Sequence, residues 1–314
     1  MELYIYWLLI MVSIMISVSF LILLERKVLG AIQVRKGPNI SVSAGLLHSF
    51  SDAVKLLSKG YFYTQNSNLF FFLLSPMVFL FISLASWSYY PFGGGLFFIE
   101  MSLIYFLVWV SLSVFPFVFC GWSSNSKYSF LGSVRTIAQV LSYEISMFII
   151  FLGVIQCTEI SSSVGMFKFQ LVCKNFMYMY MYLCFVNSKF ISWNESGAFW
   201  FFSESVGVSF SIYGGILFTW MFLSEYMNIV FLMSMYTIFF IGLYLNFFFF
   251  FFLIMMLIIT IVIRGCLPRY RYDKLMILCW LKILPLSILF LMTRSSGVFY
   301  LLEFFWGSIL MFYW

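Results

Sequence analysis

A chain of 314 residues that is 64% hydrophobic and only 9% charged cannot be a water-soluble globular domain, which carries roughly a quarter of its residues as charge. Its mean hydropathy of +1.04 and net charge of +6 describe an all-α polytopic membrane protein, a single transmembrane domain over residues 1–314. Six scattered cysteines with no CxxC pair and a single histidine, His48, argue against a self-contained zinc, iron–sulfur or haem site, which needs clustered soft or imidazole ligands. The cysteines read as small apolar fillers, and the 43 phenylalanines suit the T-rich codon usage of an organellar genome.

A hydrocarbon core of about 30 Å needs about 20 apolar residues per helix. On that criterion the chain carries eight candidate spans, near Leu3–Leu24, Leu69–Tyr89, Met101–Trp122, Phe130–Cys157, Phe176–Ile191, Val206–Met233, Tyr236–Ile263 and Met276–Leu302. Glu2 stands where a cleaved signal would carry basic residues, so the first run reads as a retained helix. Between the first two spans, "SAGLLHSFSDAVKLLSKG" puts Leu46, Leu47, Phe50, Val54, Leu56 and Leu57 mostly on one face at helical spacing, with Asp52, Lys55 and Lys59 largely on the other. That is the pattern of an amphipathic helix, about 41–59, lying in the membrane interface. Gly37-Pro38-Asn39 before it is a turn that redirects the chain.

Charge sets the expected orientation. The odd-numbered connections hold fourteen Lys and Arg, among them Arg26, Lys27, Arg35, Lys36, Lys55, Arg135, Arg264, Arg269, Arg271 and Lys274, whereas the even-numbered ones hold only Lys168 and Lys174. By the positive-inside rule the odd loops, about 25–68, 123–129, 192–205 and 264–275, face the cytoplasm or the mitochondrial matrix.

An ionisable side chain at bilayer depth is costly and marks function. Glu144 lies in "VRTIAQVLSYEISMF", about 20 Å along the fourth helix at 1.5 Å per residue. Arg135, nine residues earlier, falls on roughly the opposite face, so the two are not expected to form a simple intrahelical pair. Glu225 lies mid-helix in "FTWMFLSEYMNIVF" beside Tyr226, and Glu204 stands near the start of the same span. Buried carboxyls on separate helices suit proton carriage.

Five segments taken in order, "LLERKVLGAIQVRKGPN", "GLLHSFSDAVKLLSK", "GWSSNSKYSFLGSVRTIAQVLSYE", "LSEYMNIV" and "IRGCLPRYRYDKLM", resemble the signatures of one family. It is the core membrane subunit of respiratory complex I that lies beside the quinone site, NADH–ubiquinone oxidoreductase chain 1. The family also has eight membrane helices. The resemblance implies one subunit of the proton-pumping NADH:ubiquinone reductase in the mitochondrial inner membrane, with no redox centre of its own. It also implies ubiquinone as substrate, bound phospholipid, and partners among the other membrane subunits and the quinone-site and iron–sulfur subunits of the peripheral arm, with no nucleic acid. Carried over by motif position, Arg26, Arg35, Asp52, Lys55 and Arg264 would line the quinone tunnel. Glu144, Glu204, Glu225 and Tyr226 would carry its effect into a proton path, and Arg135, Arg269, Arg271 and Asp273 would support the junction.

One departure stands out. The family's acidic run of the form AETNRxPFD is missing from "NSKFISWNESGAFWFFSES", where Phe190 occupies the place of its first glutamate and only Glu195 and Glu204 remain. Ile212 stands at a further family glutamate, immediately before Tyr213. Three other readings are weighed against the leading one. A hydrogenase-type relative would share the fold without quinone. A secondary transporter would show internal repeats with interrupted helices, and Gly214-Gly215 has no counterpart to make such halves. A pure assembly scaffold leaves the mid-membrane carboxylates without a reason.

Overall fold

The computed structural model describes residues 2–39, 45–60, 67–89, 102–158, 213–238, 247–266 and 271–295. No strand occurs among the described residues. The helices are α1 (Glu2–Ile32), α2 (His48–Ser58), α3 (Leu69–Ser86), α4 (Ser102–Leu112), α5 (Phe115–Ser123), α6 (Lys127–Thr158), α7 (Ile216–Tyr236), α8 (Phe247–Cys266), α9 (Tyr272–Ile277) and α10 (Leu284–Ser295). Among the described residues, six stretches are long and apolar enough to cross a bilayer: Leu8–Ile32, Leu69–Ser86, Ile104–Ser123, Lys127–Leu152, Ile216–Met235 and Phe248–Cys266. The chain is therefore an all-α polytopic membrane protein. The expected fifth span, Phe176–Ile191, lies outside the described residues. The expected eighth is described from Tyr272 to Ser295, where α9 and α10 are joined by a π-helical turn, Leu278–Ile283.

Two differences from the sequence reading have local causes, and a third is one of extent. First, α1 does not stop at Leu24 but runs on through Glu25, Arg26 and Lys27 to Ile32. No proline or glycine intervenes before Gly30, and Glu, Arg and Lys are all good helix formers. Second, the expected third span is two helices. Pro116 has no N–H to give the carbonyl of Leu112, and α4 ends at that residue before α5 resumes at Phe115. Third, the amphipathic helix is shorter than its sequence outline and has no buried residue of its own.

In α3 the interior Pro76 frees the carbonyl of Phe72 in the same way. The Ser75 hydroxyl lies 3.5 Å from that carbonyl and donates to it. Other buried serines and threonines bond back onto their own helix three residues earlier, as Ser83, Ser142, Ser146, Ser224 and Thr260 do. Such internal satisfaction is what a water-free bilayer demands.

The main core joins α1, α4, α6, α7 and α8 through Met11, Ile14, Val18, Leu21, Phe106, Ile150, Phe151, Met227, Phe231 and Leu257. A second core, Phe72, Phe79, Phe117, Cys120, Tyr213, Leu217 and Met221, packs α3 and α5 against α7. A third sets Leu275, Cys279 and Ile283 against Tyr143 of α6. Gly215, at φ +62°, turns the chain into α7. A Cβ there would come within 2.7 Å of the Lys59 carbonyl oxygen, so glycine lets the end of α2 abut the start of α7.

Candidate functional site

On α1 the buried positions Met11, Ile14, Val18, Leu21 and Glu25 repeat at intervals of three and four residues, one face of a helix. The apolar face that packs α1 into the bundle thus ends on a carboxylate. Glu25 is only 6% exposed. Arg264, in the last turn of α8, forms an ion pair with it through Nη1 and Oε1. The phenol of Tyr226, midway along α7, donates to Glu25 Oε2 at 2.7 Å. Three helices are therefore tied by one carboxylate, both of whose oxygens are engaged. A small cavity opens beside it, lined by Leu21, Glu25, Ile229, Leu257, Thr260, Ile261 and Arg264, with room for about one water molecule.

Taking two charges out of water costs several kcal/mol per ion before their attraction offsets it. A charged cluster inside an apolar bundle is consequently an expensive arrangement. It offers a fixed cation, a carboxylate and a phenol that can pass a proton between them, beside a gap.

The sequence-derived site residues fall into several groups. Arg264 and Tyr226 meet at Glu25. Arg26 and Asp52 pair at 2.6 Å, with His48 Nε2 3.6 Å from the same carboxylate oxygen, and so pin α2 to α1. Arg35 Nε donates to Gln33 Oε1 at 2.8 Å, and Lys55 is exposed on α2. Glu225, next to Tyr226, directs Oε1 into the bundle, where it has no hydrogen-bond partner among the described residues. Glu144 is half-buried on α6. The Arg135 guanidinium lies over the Tyr272 ring, 4.9 Å from its centroid, joining α6 to α9. Arg271 and Asp273 form an exposed pair at 2.9 Å. Glu204 and Arg269 lie outside the described residues.

Glu25 is the residue that sequence reasoning misses, because it falls among the charges at the mouth of the first helix. The signal is nevertheless present, since continuing the three-and-four spacing of Met11, Ile14, Val18 and Leu21 lands on it. Of the cysteines, Cys120 and Cys279 are buried and Cys266 is exposed. No group of His, Cys, Asp and Glu that could hold a metal occurs among the described residues.

Comparison with known proteins gives a consistent result. A family model described as NADH dehydrogenase matches residues 5–295. The NADH-ubiquinone oxidoreductase chain 1 of Apis mellifera ligustica is 41% identical over 289 residues, covering 91% of this chain and 94% of the relative. That of Locusta migratoria is 39% identical over 289 residues, covering 91% and 92%. That of Aedes aegypti is 39% identical over 303 residues, covering 90% and 92%.

Proposed function

The chain belongs to the NADH dehydrogenase family, and on that footing we propose that it is a membrane subunit of a multisubunit NADH–quinone oxidoreductase of the mitochondrial inner membrane. In this reading its charged odd-numbered loops face the matrix. The subunit forms part of the chamber in which a quinone headgroup is reduced, and electrons arrive from a partner subunit of the peripheral arm.

The observation that carries the reading is the Glu25–Tyr226–Arg264 cluster. A quinone accepting electrons gains negative charge, and a preorganised cation in a water-poor site favours that charge far more than water would. Arg264 supplies the cation. Glu25 holds it in place and tempers it, and the Tyr226 phenol lies within proton-transfer distance of the carboxylate. Arg26 and Asp52 stand nearer the membrane surface, where α2 meets α1, and with Arg35 and Lys55 would form the mouth. Glu225, immediately beside Tyr226, is the first carboxylate of an inward proton path that would continue through Glu144 and Glu204. Arg135, Arg269, Arg271 and Asp273 would steady the junction with the peripheral arm.

Photolabelling tests this. The intact assembly, gently solubilised, is treated with an azido-quinone with and without a competing quinone-site inhibitor. Competable label within residues 20–60 and around Tyr226 and Arg264 is expected. Label confined to other subunits would overturn the assignment of the chamber to this chain.

A further inference from the structure

His48 is the single histidine of the chain, and the quinone-chamber reading gives it no part. It is the first residue of α2 and stands one turn before Asp52, so the two side chains share a face of that helix. Its Nε2 lies 3.6 Å from Asp52 Oδ2. That same oxygen accepts a hydrogen bond from Arg26 Nη1 of α1 at 2.6 Å. One carboxylate oxygen therefore meets a fixed cation from α1 and a titratable ring from α2. The two nitrogens lie within about 6 Å of each other, since both approach one atom. The His48 side chain is 34% exposed, so protons reach it from water.

The other charges nearby are occupied or distant. On α1, Glu25 is turned inward to Arg264 and Tyr226, and Lys27 lies against Gly37. On α2 itself, Lys55 and Lys59 are exposed toward the far end of the helix. The helix α7 meets that end of α2 at Gly215, and Glu225 and Tyr226 follow only about 15 Å along it. Histidine is the side chain whose ordinary titration falls between about pH 5 and pH 8. A neutral ring leaves Asp52 to Arg26. A charged ring draws on the same carboxylate and repels the guanidinium across a short, partly screened distance. The attraction of His48 for Asp52 stays within α2, whereas its repulsion of Arg26 acts between α2 and α1. Protonation thus weakens the contact that joins the two helices, and α2 is held less firmly as pH falls through the histidine range.

We propose that His48 is a proton-operated release for the α1–α2 clasp, competing with Arg26 for Asp52 when charged and yielding the carboxylate when neutral. The release acts on the helix contact itself. Its consequence for quinone rests on the chamber reading, in which α2 shapes the mouth.

The test is hydrogen exchange on the intact assembly in nanodiscs. Protection of the backbone amides of residues 52–58 is read relative to their intrinsic rates at each pH, and the apparent KM for quinone is measured alongside. Between about pH 8 and about pH 6, native protection should fall about two- to threefold, the size of a like-charge repulsion at that spacing in water. The fall should shrink as salt rises. His48→Gln should keep the high-pH protection throughout, and His48→Lys the low-pH protection. In Arg26→Gln the fall should disappear, because the repelled partner is gone. Absence of a fall in the native assembly, or a fall that survives in His48→Gln or Arg26→Gln, would overturn the proposal. If α2 shapes the mouth, the native KM should rise relative to that of His48→Gln as protection drops. Protection that follows pH while this KM ratio stays flat would leave the release standing and take α2 out of the quinone path.

Discussion

Two buried polar regions lie on the same helical bundle and are built on different principles. Where α1, α7 and α8 meet, Glu25, Tyr226 and Arg264 put opposite charges into an apolar interior. Where α3 and α5 meet the chain entering α7, the Tyr213 hydroxyl sits 3.0 Å from Ser75 Oγ and 3.4 Å from Ser123 Oγ, with its ring stacked on Phe72 at 4.0 Å. The second region is neutral. Its hydroxyls bond one another and freed backbone carbonyls, and it sits close to the tight contact at Gly121. The first pays a desolvation cost that well-packed hydrophobic residues of the same volume would avoid. Buried hydroxyls here finish helix contacts, whereas on the proposed reading the buried charges serve the quinone chamber.

The sharpest way to break that contrast is to remove the cation alone. Arg264→Leu leaves Glu25 in an apolar surround without its counter-charge, a loss of about 3–5 kcal/mol. Thermal unfolding of the purified assembly should report it, along with loss of most quinone reduction. The double variant Glu25→Leu/Arg264→Leu should recover the stability and not the activity. If the double variant also recovers activity, the cluster is structural and the chamber assignment is wrong.

A matched pair of phenol deletions comes next. In Tyr226→Phe, Glu25 loses a charge-assisted hydrogen bond worth about 1.5–3 kcal/mol, and quinone reduction should fall about tenfold or more by that same free energy. In Tyr213→Phe the lost bonds are neutral, about 0.5–1.5 kcal/mol each, with turnover per assembled complex unchanged. Equal losses of turnover in both would erase the distinction between the regions.

How much of this is legible in the sequence follows from the kind of signal involved. Long apolar runs announce the membrane helices, because bilayer thickness leaves few alternatives. The charges of the amphipathic helix give its outline. Arg264 and Tyr226 come from motif resemblance, and only the structure shows that they meet at Glu25, since contacts across 201 and 239 residues of separation have no local trace. Glu25 itself is hidden by its neighbours. Followed by Arg26 and Lys27, it looks like part of a solvated run, yet the helix continues and the spacing of Met11, Ile14, Val18 and Leu21 turns it inward. The break before α5 is readable in Pro116, whose effect on the Leu112 carbonyl is purely local.

The neutral region can be probed through its packing. A Cβ on Gly121 would overlap the Ser133 side chain, so Gly121→Ala must push α5 off α6. A cost of about 1–2 kcal/mol is expected, seen as a lowered unfolding temperature, with turnover of the surviving assembly unchanged. Adding Ser133→Gly should return most of the loss, because the pair competes for one volume. Two independent, additive losses would show that the strain falls elsewhere.

The smallest effect belongs to the surface pair that fastens α2. Arg26 and Asp52 are 45% and 35% exposed in their side chains, so water and salt screen their attraction, and Arg26→Gln should cost under about 1 kcal/mol of stability. Its effect on function should be of a different kind from that of Arg264. If Arg26 only positions α2 at the mouth, the variant raises the apparent KM for quinone and leaves kcat alone, and raising ionic strength makes the native assembly behave like the variant. A fall in kcat as deep as that of Arg264→Leu, insensitive to salt, would place Arg26 inside the reacting centre and extend the charged region from the buried cluster to the surface.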